Sequence, residues 1–371
     1  VTAAPAAAPP ASTDVLVVGA GIAGSALAYE LARRGVDCLL VEHERPGAGA
    51  SGVPVALINP HRGRSARASA ADLEGARAFW ELTAALEREG GVSGARRSGV
   101  LRVPDQERQA RAWRRLAQAS AAARWLEPAE VPAPYHAPHG ALLVEGGGWA
   151  DTRALLSALT AAAQGHGATL RTGTALLSLE AGAGAPVRAL LESRAPGDEA
   201  RLQVVACRAA VVATGAWQPP GVRLPRFELV WGAALVLDLA GAPTPPYPLA
   251  GGAVAAFPGG RAVITGGHRS VPAPDAAPAS LPGTPAGARP DTGADADPAG
   301  LRRALAWQLP LLGSAPELSR WEGVRAKRPS GEPVARRLCP GVYLMNGFGG
   351  RGFLRAASVA ARLAERLATG A

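Results

Sequence analysis

The chain has 371 residues, 48% of them hydrophobic, and a formal net charge of +9 from 39 basic and 30 acidic side chains. No uninterrupted apolar run reaches the roughly 18 residues of a membrane helix, so no membrane span is expected. Lys327 is the single lysine; the basic surplus is arginine scattered among Ala, Gly and Pro, without the block of about five or six charges that marks a nucleic-acid surface.

Residues 1–12 are rich in Ala and Pro, lack the basic start of a secretion signal, and read as a disordered tail. The apolar run 14–18 then leads into Gly19, Gly21 and Gly24, a helical stretch, and a second apolar run, 38–41, ending at Glu42. Each part has a use in holding a dinucleotide. Gly19 permits the tight turn, Gly21 lets a pyrophosphate approach the backbone, and Gly24 lets the helix pack on the strand. Ile22 and Ala23 open that helix, whose N-terminus faces the phosphates. Glu42, 18 residues beyond Gly24, can accept the ribose hydroxyls, with His43 flanking the adenosine.

Residues 44–67 read as mostly extended loop, and 69–90 as a helix with Leu73, Ala76, Phe79, Trp80, Leu82 and Leu86 at helical spacing. A strand at 99–103, a helix at 105–123 and a Pro-rich break at 128–138 follow. Next come a strand at 141–145, a turn at 146–151, and a helix to about 165 capped by Asp151. Short strands are expected at 168–171, 175–179, 187–193 and 201–207, then a buried strand from 209 ending in a glycine turn at Gly215. Residues 227–239, 250–257 and 261–266 suggest an antiparallel meander, and 271–300 is too poor in large apolar residues to pack. That segment reads as a flexible insertion. A helix at 301–312, strands at 317–325 and 342–346, and a final helix at 351–369 complete the chain.

Cys38, Cys207 and Cys339 are widely spaced and form no metal-ligand pattern, so no metal is expected and the cytoplasm is the expected compartment. The expected fold is α/β with an α+β substrate part. A Rossmann-like dinucleotide-binding domain (13–90, 140–220 and 321–371) is interleaved with a mainly antiparallel β domain (91–139 and 221–320).

Four separated stretches resemble the D-amino-acid oxidase, glycine oxidase and sarcosine oxidase superfamily of FAD enzymes. They are 15–42; 140–151; 210–217; and Trp321, Gly323 and Arg325, as W-x-G-x-R, joined to the glycine cluster in 346–353. Their order and spacing match the family across nearly the whole chain. The resemblance implies FAD rather than NAD. In the family, the second cluster (here Gly347, Gly349, Gly350, Arg351 and Gly352) puts backbone N–H groups and a helix N-terminus by the flavin pyrimidine. It also implies cofactor contacts from Ala50, Ser51 and Gly52 beneath the ring, and from Leu176, Ala213, Thr214, Gly215 and Trp217. Some members attach FAD to a cysteine just after W-x-G-x-R; residues 326–330 contain none, so the cofactor is expected to be noncovalent.

The implied activity is oxidation of the C–N bond of a small amine or amino acid. Hydride passes to flavin N5, the imine product hydrolyses, and oxygen or another acceptor reoxidises the flavin, with hydrogen peroxide as the product of oxygen. Arg325 matches the carboxylate-binding arginine of glycine oxidase-like members, and Arg328 is a further candidate. His61 and His268 are candidates to line the substrate site. The chain departs from the family at Ser330, where Asp is frequent, and at Trp231 and Gly232, where an Arg-Gly pair is frequent. Residues 50–60 resemble the oxidase domain of bifunctional enzymes that form 5-methylaminomethyl-2-thiouridine in tRNA, with Val53 and Val55 replacing that family's Asn and Gln. Two alternatives therefore stand beside the amine oxidase: removal of a carboxymethyl group from a tRNA wobble uridine, and a non-catalytic flavoprotein binding module.

Overall fold

The computed structural model describes residues 11–182, 184–194, 199–251, 253–271 and 298–369. Residues 1–10 of the expected tail and 272–297 of the expected insertion lie outside this set. At the edges of both segments the structure corrects the sequence reading. Ser12 already belongs to the first strand, Ser12–Val18. Val271 ends the strand Arg261–Val271, and the helix Pro298–Ala306 takes in the insertion's last residues.

The fold is α/β, built on a Rossmann-like sheet. The strands Thr169–Arg171, Cys38–Val41, Ser12–Val18, Arg201–Val212 and Val342–Asn346 pair in that order, all parallel. Antiparallel strands Val187–Ser193 and Thr174–Glu180 extend one side. Alternation along the first strand explains why this sheet is central. Val15 and Val17 enter a cluster with Leu27, Leu31, Phe79, Leu155 and Leu363, whereas Leu16 and Val18 enter one with Leu176, Leu191, Val205 and Leu344. Both faces are covered, as a parallel sheet requires. Each fully buried leucine contributes about 1.5–3 kcal/mol.

The helices Ile22–Ala32, Ala70–Arg88, Thr152–Gly165 and Gly352–Thr369 supply the first cluster. Ser69 caps the second of them, accepting from the Asp72 N–H, and Asp151 caps the third, accepting from the Ala154 N–H.

A second sheet of eight strands is mainly antiparallel; near one edge of it the long strand Glu228–Asp238 pairs with both Arg261–Val271 and the edge strand Glu317–Lys327. Its core joins Leu235, Leu237, Leu249 and Ile264 to Leu305, Leu309 and Leu312. Sheet membership cuts across the sequence division at two strands. Ala141–Val144 and Glu317–Lys327 both hydrogen-bond in this second sheet, not in the parallel one. A backbone run long enough for either sheet is assigned by its partners, which local pattern does not carry.

Other local expectations also change. The loop at 44–67 contains a 3-10 turn, Ala50–Gly52, and a strand, Val55–Ile58. The turn expected at 146–151 contains the strand Gly148–Asp151, which pairs with Val55–Ile58. The two strands expected from 201 to 215 are one, Arg201–Val212. The single helix expected at 301–312 is two, Pro298–Ala306 and Leu311–Ser314. The strands Ala123–Leu126 and Val334–Cys339 were not anticipated.

Candidate functional site

The first glycine turn is closed by space as much as by conformation. Gly19 has φ of 100°, and a Cβ there would sit 2.8 Å from the Ala213 carbonyl oxygen. A methyl on Gly24 would run into the Gly19 carbonyl, so the helix can lie this close to the strand only with glycine. Gly21 is the N-cap of Ile22–Ala32; it offers no side chain to the free N–H groups, and the first turn has no acid. The Ile22 N–H donates to Ser51 Oγ at 3.0 Å. A helix start with open donors and no acid in its own first turn is suited to a phosphate.

Glu42 stands at the end of the neighbouring strand. Its Oε2 accepts from the Ala20 N–H at 2.7 Å and its Oε1 from the Glu44 N–H at 3.2 Å, which fixes the carboxylate and leaves further lone pairs on both oxygens. Burial pushes the Glu42 carboxyl above its ordinary range, against the pull of these two N–H groups. A raised folded-state pKa means that the stability this group contributes is present below the unfolded pKa and is lost as pH rises through the folded one. Glu42→Gln is therefore expected to raise the melting temperature of the cofactor-free protein at pH 8, with the gap narrowing toward the carboxylate range. It should weaken FAD binding by about tenfold, since a charged acceptor of two hydroxyls is lost. Melting curves and a flavin titration read the two effects separately.

His43 is half-buried beside Glu42. The Thr174 N–H donates to the Glu42 carbonyl at 2.9 Å, bringing the strand that carries Leu176 to this end of the site. The Leu176 side chain itself is fully buried in the sheet core, so any contact from this residue outward is made by its backbone.

The other end is assembled around Asn346, a buried residue that the sequence reading did not single out. Its Nδ2 donates to the Gly215 carbonyl at 2.8 Å, and its Oδ1 accepts from the Gly347 N–H at 2.7 Å. One side chain thus ties the turn holding Ala213, Thr214, Gly215 and Trp217 to the second glycine cluster. Thr214 Oγ1 closes that turn on the Trp217 carbonyl at 2.6 Å. Gly347 has φ of 77°, and a Cβ there would lie 2.8 Å from the Phe227 ring and 3.1 Å from Arg328 Cγ. Gly352 opens the final helix with its α-carbon against Ile22; a Cβ would lie 3.2 Å from Ile22 Cγ2. The two glycine clusters, from opposite ends of the chain, meet here.

In the sequence Trp321 stands out only as part of the W-x-G-x-R motif. In the structure its ring lies over Gly323, and its Nε1 would be 3.5 Å from a Cβ on Gly52. It thus lies along the Ala50–Gly52 turn. Arg351 contributes to the cluster through its backbone. Its guanidinium bonds Asp72 Oδ1 at 3.4 Å, Glu332 Oε1 at 3.2 Å and the Gly331 carbonyl, holding the helix start against the helix Ala70–Arg88.

Arg325 is half-buried, opposite Val230 on the strand Glu317–Lys327. Its Nη1 lies 2.9 Å from the point a Cβ on Gly350 would occupy, so the missing side chain is what admits the guanidinium to the second cluster. Burial, and then the charge of Arg62, lower its pKa from the ordinary arginine value.

The histidine candidates fare differently. His61 is 3% exposed, with Nδ1 2.8 Å from the Ala66 carbonyl and Nε2 without a partner. Burial lowers its pKa and favours the neutral ring. Through Nδ1 it organises its own loop. His268 lies on the strand Arg261–Val271, with its side chain outside the described set. Among the described residues no group of three or more His, Cys, Asp or Glu could hold a metal ion.

The chain matches the DAO family of FAD-dependent oxidoreductases over residues 14–366. It belongs to that family. FAD is the cofactor of this oxidoreductase, and the residues above fit it: an uncapped helix start, a fixed carboxylate beside it, and backbone positions where a Cβ would fill the available space.

The oxidoreductase is 31% identical over 368 residues to the tRNA 5-methylaminomethyl-2-thiouridine biosynthesis bifunctional protein MnmC of Maricaulis maris (strain MCS10), covering 96% of this chain and 52% of that protein. The chain spans about half the length of the curated relatives it matches. Among solved structures, glycine oxidase from Geobacillus kaustophilus superposes with a TM-score of 0.77 at 22% identity, covering 97% of this chain and 95% of that one. L-proline dehydrogenase from P. horikoshii gives 0.76 at 18% identity, with 98% and 95% covered. These two likenesses show the fold. No helix among the described residues is long and apolar enough to cross a membrane.

Proposed function

We propose that this oxidoreductase oxidises the C–N bond of a small amine or amino acid that carries a carboxylate. The observation that supports this reading is Arg325, a half-buried guanidinium beside Gly350 at the start of the final helix. A guanidinium can hold a carboxylate through two parallel N–H bonds, which fixes both distance and plane. FAD, held by the turn at 19–24, Glu42 and the 347–352 cluster, would supply the two-electron oxidation of the carbon next to the amine, with oxygen as the final acceptor and hydrogen peroxide as its product.

The chain's own groups have three tasks. Arg325 orients the substrate, and its positive charge disfavours a second cation nearby, so the amine is held in its neutral, electron-rich form. The backbone N–H groups of 347–352 and the positive end of the helix they open would hold the ring end of the cofactor and favour negative charge there. Trp321 and the Ala50–Gly52 turn exclude water from the same region. The imine product needs only water to hydrolyse to a carbonyl compound and the freed amine.

The test is a spectrum of the purified holoprotein mixed with glycine, sarcosine, proline and D-amino acids. Bleaching of the flavin band with peroxide formed on admission of air supports the reading. A fully oxidised spectrum with every member of the panel would sink it.

The likeness to tRNA 5-methylaminomethyl-2-thiouridine biosynthesis proteins favours a second reading, in which the amine sits on a tRNA wobble uridine and a carboxymethyl group is lost. Salt-sensitive tRNA binding with loss of that group would distinguish it. Under either reading we place the protein in the cytoplasm, with a small electron acceptor and noncovalent FAD.

A further inference from the structure

The loop 61–67 is pinned more firmly than a surface connection requires. Arg102 donates from Nη1 to the His61 carbonyl at 2.9 Å and from Nη2 to the Gly63 carbonyl at 2.6 Å. Its guanidinium carbon lies 4.6 Å from the centre of the Trp113 ring, and Trp113 Nε1 donates to the Arg64 carbonyl at 2.9 Å. His61 closes the loop from within.

The residue whose base these contacts fix is Arg62. It is exposed, and its guanidinium forms no ion pair among the described residues; the nearby acid Asp72 is engaged by Arg351 and Arg355. Arg62 Nη2 lies 3.5 Å from the point a Cβ on Gly350 would occupy, the point that Arg325 Nη1 approaches to 2.9 Å. Two guanidinium groups, one on the strand Glu317–Lys327 and one on the loop that follows Val55–Ile58, therefore converge on a single backbone position. Like charges at such spacing repel, and the arrangement is favourable when an anion lies between or beside them.

We infer that the substrate carries two acidic groups, one held by Arg325 and the second by Arg62: an amino or imino dicarboxylate, not a simple amino acid. This rests on the reading of the site as one that binds a carboxylated amine. The pinned loop supplies the preorganisation that makes the second contact effective, because the cation's position is set before the ligand arrives.

The experiment uses the purified holoprotein and two probes, acetate and malonate, which differ by one carboxylate. Binding is read from the shift of the flavin absorption band. Malonate is expected to bind at least about tenfold more tightly than acetate. In Arg62→Gln that ratio should fall toward one, and Arg62→Lys should restore part of it. Equal affinities in the unaltered protein, or an unchanged ratio in Arg62→Gln, overturn the inference. The amine panel described above is run on the same samples. An absence of bleaching there removes the proposed reaction, while the malonate-to-acetate ratio still decides the role of Arg62 by itself.

Discussion

Gly24→Ala is expected to yield protein that no longer retains FAD on purification. The obstacle is space, since a methyl on Gly24 would collide with the Gly19 carbonyl and lie 3.3 Å from Val17 Cγ1. A backbone carbonyl inside a hydrogen-bonded turn cannot step aside as a flexible side chain can, so the helix Ile22–Ala32 must lift from the sheet. Overpacking of this kind costs about 1–3 kcal/mol. The larger loss is functional, because the lifted helix carries its N-terminus away from Ser51 and from Gly352. The ratio of flavin to protein absorbance should fall at least about tenfold, by the same free-energy scale. Gly165→Ala is the control: it lies at the end of a helix with open space at its Cβ, and should retain its flavin. A Gly24→Ala protein with full flavin content would show that helix and strand have room this structure does not give them.

The second large effect is at Arg325. Arg325→Ala is expected to raise KM for carboxylate-bearing amines by roughly a hundredfold, about 3 kcal/mol for two charge-assisted bonds, while FAD stays bound. The separation of the two readouts matters. A residue that merely braced the strand Glu317–Lys327 would lower flavin content and stability when removed, not KM alone. Arg325→Lys should recover only part of the affinity, since an ammonium cannot reproduce the paired geometry. Unchanged kinetics would take Arg325 out of the site.

Much of this architecture is legible in the sequence because the cofactor-binding end is built from backbone. Where function needs a turn, a close approach or a bare helix start, glycine is the residue that allows it, and Gly19, Gly24, Gly347 and Gly352 mark those places openly. Glu42 is readable for a related reason: its role depends on a fixed offset from the glycines. Asn346, Trp321 and Arg62 are harder to read. Asn346 acts through a hydrogen bond to Gly215, far away in sequence, and one from its neighbour Gly347, and nothing local separates it from an ordinary strand-end amide. Arg62 is one of many arginines in an arginine-rich chain; its distinction is a loop pinned from outside by Arg102 and Trp113. His61, in contrast, draws notice as a titratable group next to the cofactor loop, and in the structure one of its ring nitrogens holds the loop 61–67. Sheet assignment fails for the same reason at Ala141–Val144, whose partners Val100–Arg102 and Ala123–Leu126 decide where it belongs.

The contact between Ile22 and Gly352 has a consequence for how the protein matures. The helix Ile22–Ala32 is synthesised well before its partner Gly352–Thr369, and contacts of such long sequence separation form late. A nascent chain thus holds a finished phosphate turn and an unfinished ring pocket until the final helix docks. FAD binds only the closed arrangement well, so its binding free energy adds to the docking of that helix. A bound cofactor would then also be a clasp between the helices Ile22–Ala32 and Gly352–Thr369, and depletion of flavin during synthesis would leave the second of them as the first segment open to proteolysis.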